Sequence, residues 1–141
     1  MIDIRIDVDM GRDLTRTTVL GQADVDRVID VFHSPEFWQT SRNIWDYRAA
    51  SVSALGQESL VRIAAAVRET DRAGISRAFA FVVRNEDAVL LARLYTEISR
   101  HKFDRQIQYH ITTDIDDAQT WLDENIPPRT EAERNTDRRM G

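Results

Sequence analysis

Apolar and charged residues alternate strictly from Ile2 to Met10 at the start of the chain. The apolar members occupy the even positions, and they are Ile2, Ile4, Ile6, Val8 and Met10. A period of two is typical of a β-strand with one solvated face. After a turn at Gly11-Arg12-Asp13, the stretch from Leu14 to Leu20 is rich in β-branched residues, which favour strands. The pattern therefore predicts an opening β-hairpin.

Beyond the hairpin, helical periodicity alternates with short apolar runs. Recurrence of apolar residues every three or four positions predicts four amphipathic helices, at about 23–33, 57–73, 86–102 and 115–125. In the third helix this pattern places Leu90, Leu91, Leu94, Tyr95 and Ile98 on the inward face. Asp114 is a good N-cap for the fourth helix. The runs between the helices predict three more strands, Asn43 to Ala49, Arg77 to Val83 and Gln106 to Ile111.

The predicted order of elements is ββαβαβαβα, so the chain is an α/β protein. The RAFAFVV run from Arg77 to Val83 is almost continuously apolar, which is typical of an inner strand covered on both faces. The first and last strands alternate and belong at the edges of the sheet. Because a helix separates each later pair of strands, we expect the last four strands to be parallel, with right-handed crossovers.

Length and composition favour one globular domain, residues 1–126, followed by a polar tail, residues 127–141, that we predict to be disordered. The chain has 141 residues, a net charge of −5 and no cysteine. The negative charge argues against nonspecific nucleic-acid binding, and the lack of cysteine excludes disulfides and thiolate metal sites. Neither a signal peptide nor an apolar run of about 20 residues is found, so we expect no membrane span and a cytoplasmic location.

Two short motifs resemble those of the SpoIIAA-like family, whose members are similar to STAS domains and share an architecture with CRAL-TRIO lipid-transfer domains. Trp45 and Asp46 match a Trp-Asp pair at the end of the third strand. Ala118, Trp121 and Leu122 match an A-x-x-W-L signature in the last helix. The resemblance covers about residues 2–124 and implies a SpoIIAA/STAS-like fold. Antagonists of this type carry a phosphorylated serine after the third strand, near Ser51 and Ser53, but here the surrounding SVSALG lacks their acidic residue and serine-glycine pair.

Candidate polar site residues cluster at the carboxyl ends of the third and fourth strands, where ligands are met in open α/β sheets. Ser51 and Ser53 are candidates for phosphorylation, or else cap a helix or turn the loop. Asp46 and Arg48 either line a ligand cleft or form a structural ion pair. Arg84 and Asn85 leave the next strand at the same edge, where they either hold an anion or belong to a solvated loop. Together these residues form a predicted partner or ligand rim: Asp46, Arg48, Ser51, Ser53, Arg84 and Asn85.

Aromatic residues on the same two strands either wall an apolar pocket or belong to the ordinary core. They are Trp45, Tyr47, Phe79 and Phe81. The three histidines have no metal-site spacing, and no nucleophile-base motif, phosphate loop or dinucleotide fingerprint occurs. The sequence therefore predicts no catalytic residue, metal or cofactor.

Two hypotheses follow for the function. One is a non-enzymatic, STAS-like regulatory module that meets a protein partner around the Ser51 to Gly56 loop. The other is a carrier that binds a lipid or another small apolar molecule. We also predict a homodimer, because a sheet whose helices all lie on one face leaves apolar surface on the other. The alternative is that the first and last helices cover the second face.

Overall fold

The computed structural model describes residues 3–70, 78–103, 107–130 and 132–133. Its strands are β1 (Asp3–Asp9), β2 (Leu14–Gln22), β3 (Arg42–Asp46), β4 (Ala50–Ser51), β5 (Ala78–Val82) and β6 (Gln108–Thr112). Its helices are α1 (Val25–Phe32), a short 3-10 helix (Pro35–Gln39), α2 (Gln57–Thr70), α3 (Glu86–Phe103) and α4 (Ile115–Asn125). Several predicted boundaries lie outside the described residues: the start of the first strand at Ile2, the end of the second helix near position 73, the strand starts at Arg77 and Gln106, and tail residues 134–141.

The long strands form one sheet in the order β1-β2-β3-β5-β6. β1 pairs antiparallel with β2, and every later neighbouring pair along this path is parallel. The predicted α/β class, hairpin start, parallel strands and edge positions of the two alternating strands are therefore confirmed. The predicted order lacked only the two-residue strand β4 and the 3-10 helix.

The third strand is shorter than predicted, because β3 ends at Asp46 and not at Ala49. The Asp46 carboxylate accepts a hydrogen bond from the Arg48 N–H at 3.0 Å, and Ala50 N–H donates to the Tyr47 carbonyl at 3.0 Å, so the chain turns here. It then forms β4, which pairs with the end of β2. Gly21, with φ of 81°, adopts a left-handed conformation there and donates to the Ala49 carbonyl at 3.3 Å.

Helices cover both faces of the sheet, but unequally. The first face carries α1, α2, α3 and most of the apolar core, including Trp45, Phe79 and Phe81. The second face carries α4, whose Ala118 and Leu122 pack on a smaller cluster formed by β2, β3 and β5. Every residue of β5 is buried, as predicted for a strand covered on both faces. On the β1 side of the second face, exposed charged residues replace apolar ones: Asp3, Arg5, Asp7 and Asp9.

The predicted inward face of α3 is partly wrong. Leu91, Tyr95 and Ile98 pack against the core at helical spacing, whereas Leu90 is 60% exposed and Leu94 is 39% exposed. With 3.6 residues per turn, Leu90 and Leu94 lie about 100° around the helix from the inward stripe. No described helix is long and apolar enough to cross a membrane.

Candidate functional site

The carboxyl ends of β3 and β5 open into a cavity of about 290 Å³, which we call the outer cavity. One wall is the segment that follows β3, and the other is the β5–α3 loop with the first turns of α3. The side chains that line it are Tyr47, Ala50, Ser51, Val52, Ser53, Leu55, Arg84, Asn85, Asp87, Ala88 and Leu91. Four of the six predicted rim residues are therefore brought together here: Ser51, Ser53, Arg84 and Asn85.

A second, apolar cavity of about 50 Å³, the inner cavity, lies beneath α1, α2 and α3. Its wall consists mainly of hydrocarbon side chains from the helices and from β3 and β5. The lining residues are Val28, Phe32, Trp45, Tyr47, Val52, Leu55, Leu60, Ile63, Phe81, Val83, Ala88, Leu91, Ala92 and Tyr95. Tyr47, Val52, Leu55, Ala88 and Leu91 line both cavities, so the two adjoin, and we call them together the cleft.

The polar mouth of the cleft has defined hydrogen bonds. The hydroxyl groups of Ser51 and Ser53 lie 3.0 Å apart, and Ser53 N–H donates to Ser51 Oγ at 3.4 Å, so Ser51 turns the loop. Asn85 Oδ1 accepts from the Ala88 N–H at 3.0 Å and caps α3. The exposed Arg84 has no hydrogen bond or ion pair within the described part of the chain. Arg84 therefore places a cation at the mouth, and Asp87, which lines the same cavity, places a carboxylate there.

Asp46 and Arg48 lie apart from this cleft and form an ion pair. Asp46 is buried, and its carboxylate accepts from Arg48 Nη2 at 2.9 Å and from Arg16 Nη2 at 3.1 Å. Burial alone raises the pKa of Asp46, but the hydrogen bonds from Arg48 and Arg16 outweigh it and hold that pKa below 3.8. Neither Asp46 nor Arg48 lines either cavity, so their contacts favour a structural ion pair over a place in the ligand cleft.

Three of the four candidate pocket aromatics line the inner cavity, namely Trp45, Tyr47 and Phe81. Tyr47 stacks on Trp45 with ring centroids 5.9 Å apart and an angle of 14°. Burial raises the pKa of the Tyr47 hydroxyl above its ordinary value, which keeps the phenol protonated. Phe79 is fully buried and packs edge-on against Phe37 and Tyr109 instead.

Sequence reasoning missed the cavity walls contributed by the helices and loops. Val52 and Leu55 lie in the loop before α2, and Ala88, Leu91 and Tyr95 lie on α3. The spacing of Leu91 and Tyr95 showed that they face inward, but it could not show that they leave space between them and β3. Within the described residues, no group of three histidines, cysteines or carboxylates is placed to hold a metal ion.

Comparison with known proteins supports the assignment of the fold and gives no information about the site. No family model matches the chain, and no curated protein matches it. One solved structure that resembles it is an uncharacterized protein of the DUF3478 family with a SpoIIAA-like fold, from Shewanella loihica PV-4. The match has a TM-score of 0.50 at 13% sequence identity, and it covers 86% of this chain and 93% of that chain. This chain therefore has a SpoIIAA-like fold, as the sequence motifs predicted.

Proposed function

We propose that this chain of SpoIIAA-like fold is a non-enzymatic binding module that takes a small amphipathic molecule into the cleft. The observation that carries the proposal is the adjoining pair of cavities, one with a polar mouth and one apolar. The outer cavity, at about 290 Å³, exceeds the volume of about 150 Å³ that holds benzene in an engineered protein cavity. The inner cavity, at about 50 Å³, has room only for a slender end of the ligand.

The Arg84 cation at the mouth favours an anionic head group, and it acts against the opposite charge of Asp87, which lines the same cavity. Arg84 supplies a guanidinium group that has no partner among the described residues, and the hydrogen-bonded pair of Ser51 and Ser53 has one further hydroxyl hydrogen to donate. The apolar side chains deeper in the cleft favour a hydrocarbon body. The ligand class that fits both ends is a medium-length carboxylate.

The test is calorimetric titration with straight-chain carboxylates of six to ten carbons, together with native mass spectrometry of protein purified from its own cells. Ala88→Phe fills the region where the two cavities adjoin, and we expect it to abolish binding. Arg84→Gln should weaken binding several-fold, since it removes the cation. The matched control is Arg93→Gln, an exposed arginine on α3 that does not line the cleft. If no carboxylate binds and no small molecule co-purifies, the proposal is wrong.

A second candidate is the STAS-like module with a protein partner. It is favoured by the exposed Ser53 in the loop after β4 and by the exposed Leu90 on the neighbouring helix. Pull-down from the native cytoplasm with the 51–56 loop intact or substituted tests it. A partner lost on loop substitution, combined with no small-molecule binding, would favour this candidate over the first.

The homodimer and the cytoplasmic location remain proposals as well. The part of the chain that the structure describes leaves one pair of large apolar side chains exposed, Leu90 and Leu94, and we propose that a second copy covers them. Cell fractionation tests the location.

A further inference from the structure

Two side chains of opposite charge, Arg84 and Asp87, line the outer cavity, and both are exposed to solvent. Within the described residues neither has a hydrogen bond or an ion pair, and although they lie three positions apart they do not pair with each other. The other residues that line this cavity carry no formal charge. The mouth of the cleft therefore holds one cation and one anion, and their charges cancel.

The position of Asp87 at the start of α3 does not account for its place in the cavity wall. Acidic residues are favoured in the first turn of a helix because they face the positive end of the helix dipole. Glu86 meets that preference equally well, and it lines neither cavity. Asn85 makes the capping hydrogen bond, since its Oδ1 accepts from the Ala88 N–H at 3.0 Å. The Asp87 carboxylate is therefore available to a ligand in the cavity.

We propose that the ligand of the cleft has a zwitterionic head, with a carboxylate that Arg84 binds and an ammonium group that Asp87 binds. The inference rests on the proposed function and narrows its ligand class to an α-amino acid with an apolar side chain. Such a head meets both charges of the mouth, whereas a plain carboxylate meets Arg84 together with the repulsion of Asp87. The apolar side chain of the ligand then lies against Val52, Leu55 and Leu91 of the cavity wall.

The probes are L-2-aminooctanoate, its N-acetyl derivative and octanoate, each titrated calorimetrically into the full chain. The first and last differ only by the ammonium group, and acetylation removes the cation while it keeps the carboxylate and the hydrocarbon chain. We expect L-2-aminooctanoate to bind about threefold to fivefold more tightly than octanoate, the effect of one exposed ion pair. The N-acetyl derivative should bind no more tightly than octanoate.

Asp87→Asn assigns this advantage to one side chain, and Glu86→Gln is its matched control. Both substitutions remove a negative charge from the first turn of α3, but only Asp87 lines the cavity. The advantage of L-2-aminooctanoate over octanoate should disappear in Asp87→Asn and persist in Glu86→Gln. Arg84→Gln should weaken the binding of both ligands by a similar factor, because both present a carboxylate to the guanidinium group.

Failure of this inference is distinguishable from failure of the proposed function. Octanoate or the N-acetyl derivative bound as tightly as L-2-aminooctanoate overturns the zwitterionic head, and the proposed function stands. An advantage that survives Asp87→Asn, or that Glu86→Gln also removes, overturns the contact with Asp87 and likewise leaves the proposed function intact. If neither octanoate nor L-2-aminooctanoate binds, the proposed function and the inference fall together.

Discussion

Two buried carboxylates, Asp13 and Asp46, are each held by arginine side chains. Asp13 is fully buried and has a φ of 51°, a left-handed conformation that aspartate tolerates better than most residues. It accepts from Ser41 N–H at 3.0 Å, from the Ser41 hydroxyl group, and from Arg129 Nη2 at 3.2 Å. Burial raises its pKa, but the hydrogen bonds from Arg129 and Ser41 outweigh that effect and lower the pKa below 3.8.

The lowered pKa values of Asp13 and Asp46 predict a loss of stability in acid. A group whose pKa is lower in the folded state stabilises the fold above its unfolded pKa, here about 3.8, and this contribution disappears as the pH falls through the folded pKa. Urea midpoints should therefore be flat from pH 7 to about pH 4.5 and fall steeply below about pH 4.

Asp46→Asn measures how much of this pH-dependent stability comes from the Asp46 carboxylate. We expect a cost of about 1–2 kcal/mol at pH 7, since two hydrogen-bonded ion pairs are lost, but Arg16 and Arg48 are about two-fifths exposed and screened by water. The variant should also show a shallower acid transition than the parent. Asp7→Asn, at an exposed position on β1, is the control. Parallel pH curves for Asp46→Asn and its parent would contradict the assignment.

At the scale of elements, α4 depends on two side chains with different roles. Leu122 is fully buried against β3 and β5. Trp121 is only partly buried, and it stacks on His110 of β6 with ring centroids 4.9 Å apart and an angle of 9°. His110 also bonds Asp117 of α4 at 2.8 Å. The A-x-x-W-L motif therefore anchors the helix through its leucine and covers the sheet edge with its tryptophan.

We expect Leu122→Ala to destabilise the protein by about 3–4 kcal/mol, because a fully buried leucine leaves a cavity. Trp121→Ala should cost less, about 1–2 kcal/mol, because part of the ring already faces water. Denaturant midpoints of both variants, measured together with the exposed control Thr120→Ala, test whether Leu122→Ala loses more stability than Trp121→Ala. A larger loss for Trp121→Ala would show that the tryptophan is the main anchor.

The segment after α4 is the element that the sequence describes least well. Its polar composition predicts a disordered tail from position 127, and that boundary stays a prediction. Arg129, however, is 14% exposed and contacts Asp13, 116 positions earlier in the chain. Composition alone cannot reveal a pair so distant in sequence.

Two truncations separate the role of Arg129 from that of the residues after it. A chain that ends at Thr130 keeps the Arg129–Asp13 contact, and its melting temperature should stay within about 2 °C of the parent. A chain that ends at Pro128 leaves the Asp13 carboxylate buried without its arginine. That truncation should cost about 3 kcal/mol, or about 10 °C in melting temperature. Equal melting temperatures for the two chains would contradict this role for Arg129.

For the whole molecule, local patterns were sufficient for the fold and insufficient for the cleft. The alternation in β1 and the apolar run of β5 fixed the positions of edge and inner strands, since burial sets those patterns directly. Ser51, Ser53, Arg84 and Asn85 were correctly placed together because carboxyl ends of parallel strands meet at one edge. Asp46 lies outside the cleft because its side chain points to the other face, where Arg16 bonds it. The cavities depend on the space that side chains leave between them in three dimensions, and a pattern along the sequence does not predict that space.

The surface on which a homodimer could form also differs between the sequence argument and the structure. The sequence argument for a homodimer was that one face of the sheet would be left apolar. In the structure α4 covers the inner strands on that face, and the side of β1 is charged. Among the described residues, large apolar side chains are exposed on α3 instead, at Leu90 and Leu94. These residues lie one turn apart on one stripe of the helix, so two antiparallel copies of α3 can bury all four leucines about a two-fold axis.

Light scattering at micromolar concentration should therefore give about twice the chain mass of 16.3 kDa. The double variant Leu90→Glu/Leu94→Glu should give the mass of one chain, because it removes apolar area and brings like charges together at the axis. Thr120→Glu adds an acid at an exposed position of α4 and should remain dimeric. A mass of 16.3 kDa for the parent that does not change on tenfold concentration would refute the dimer. A double variant that stays dimeric would place the interface away from α3.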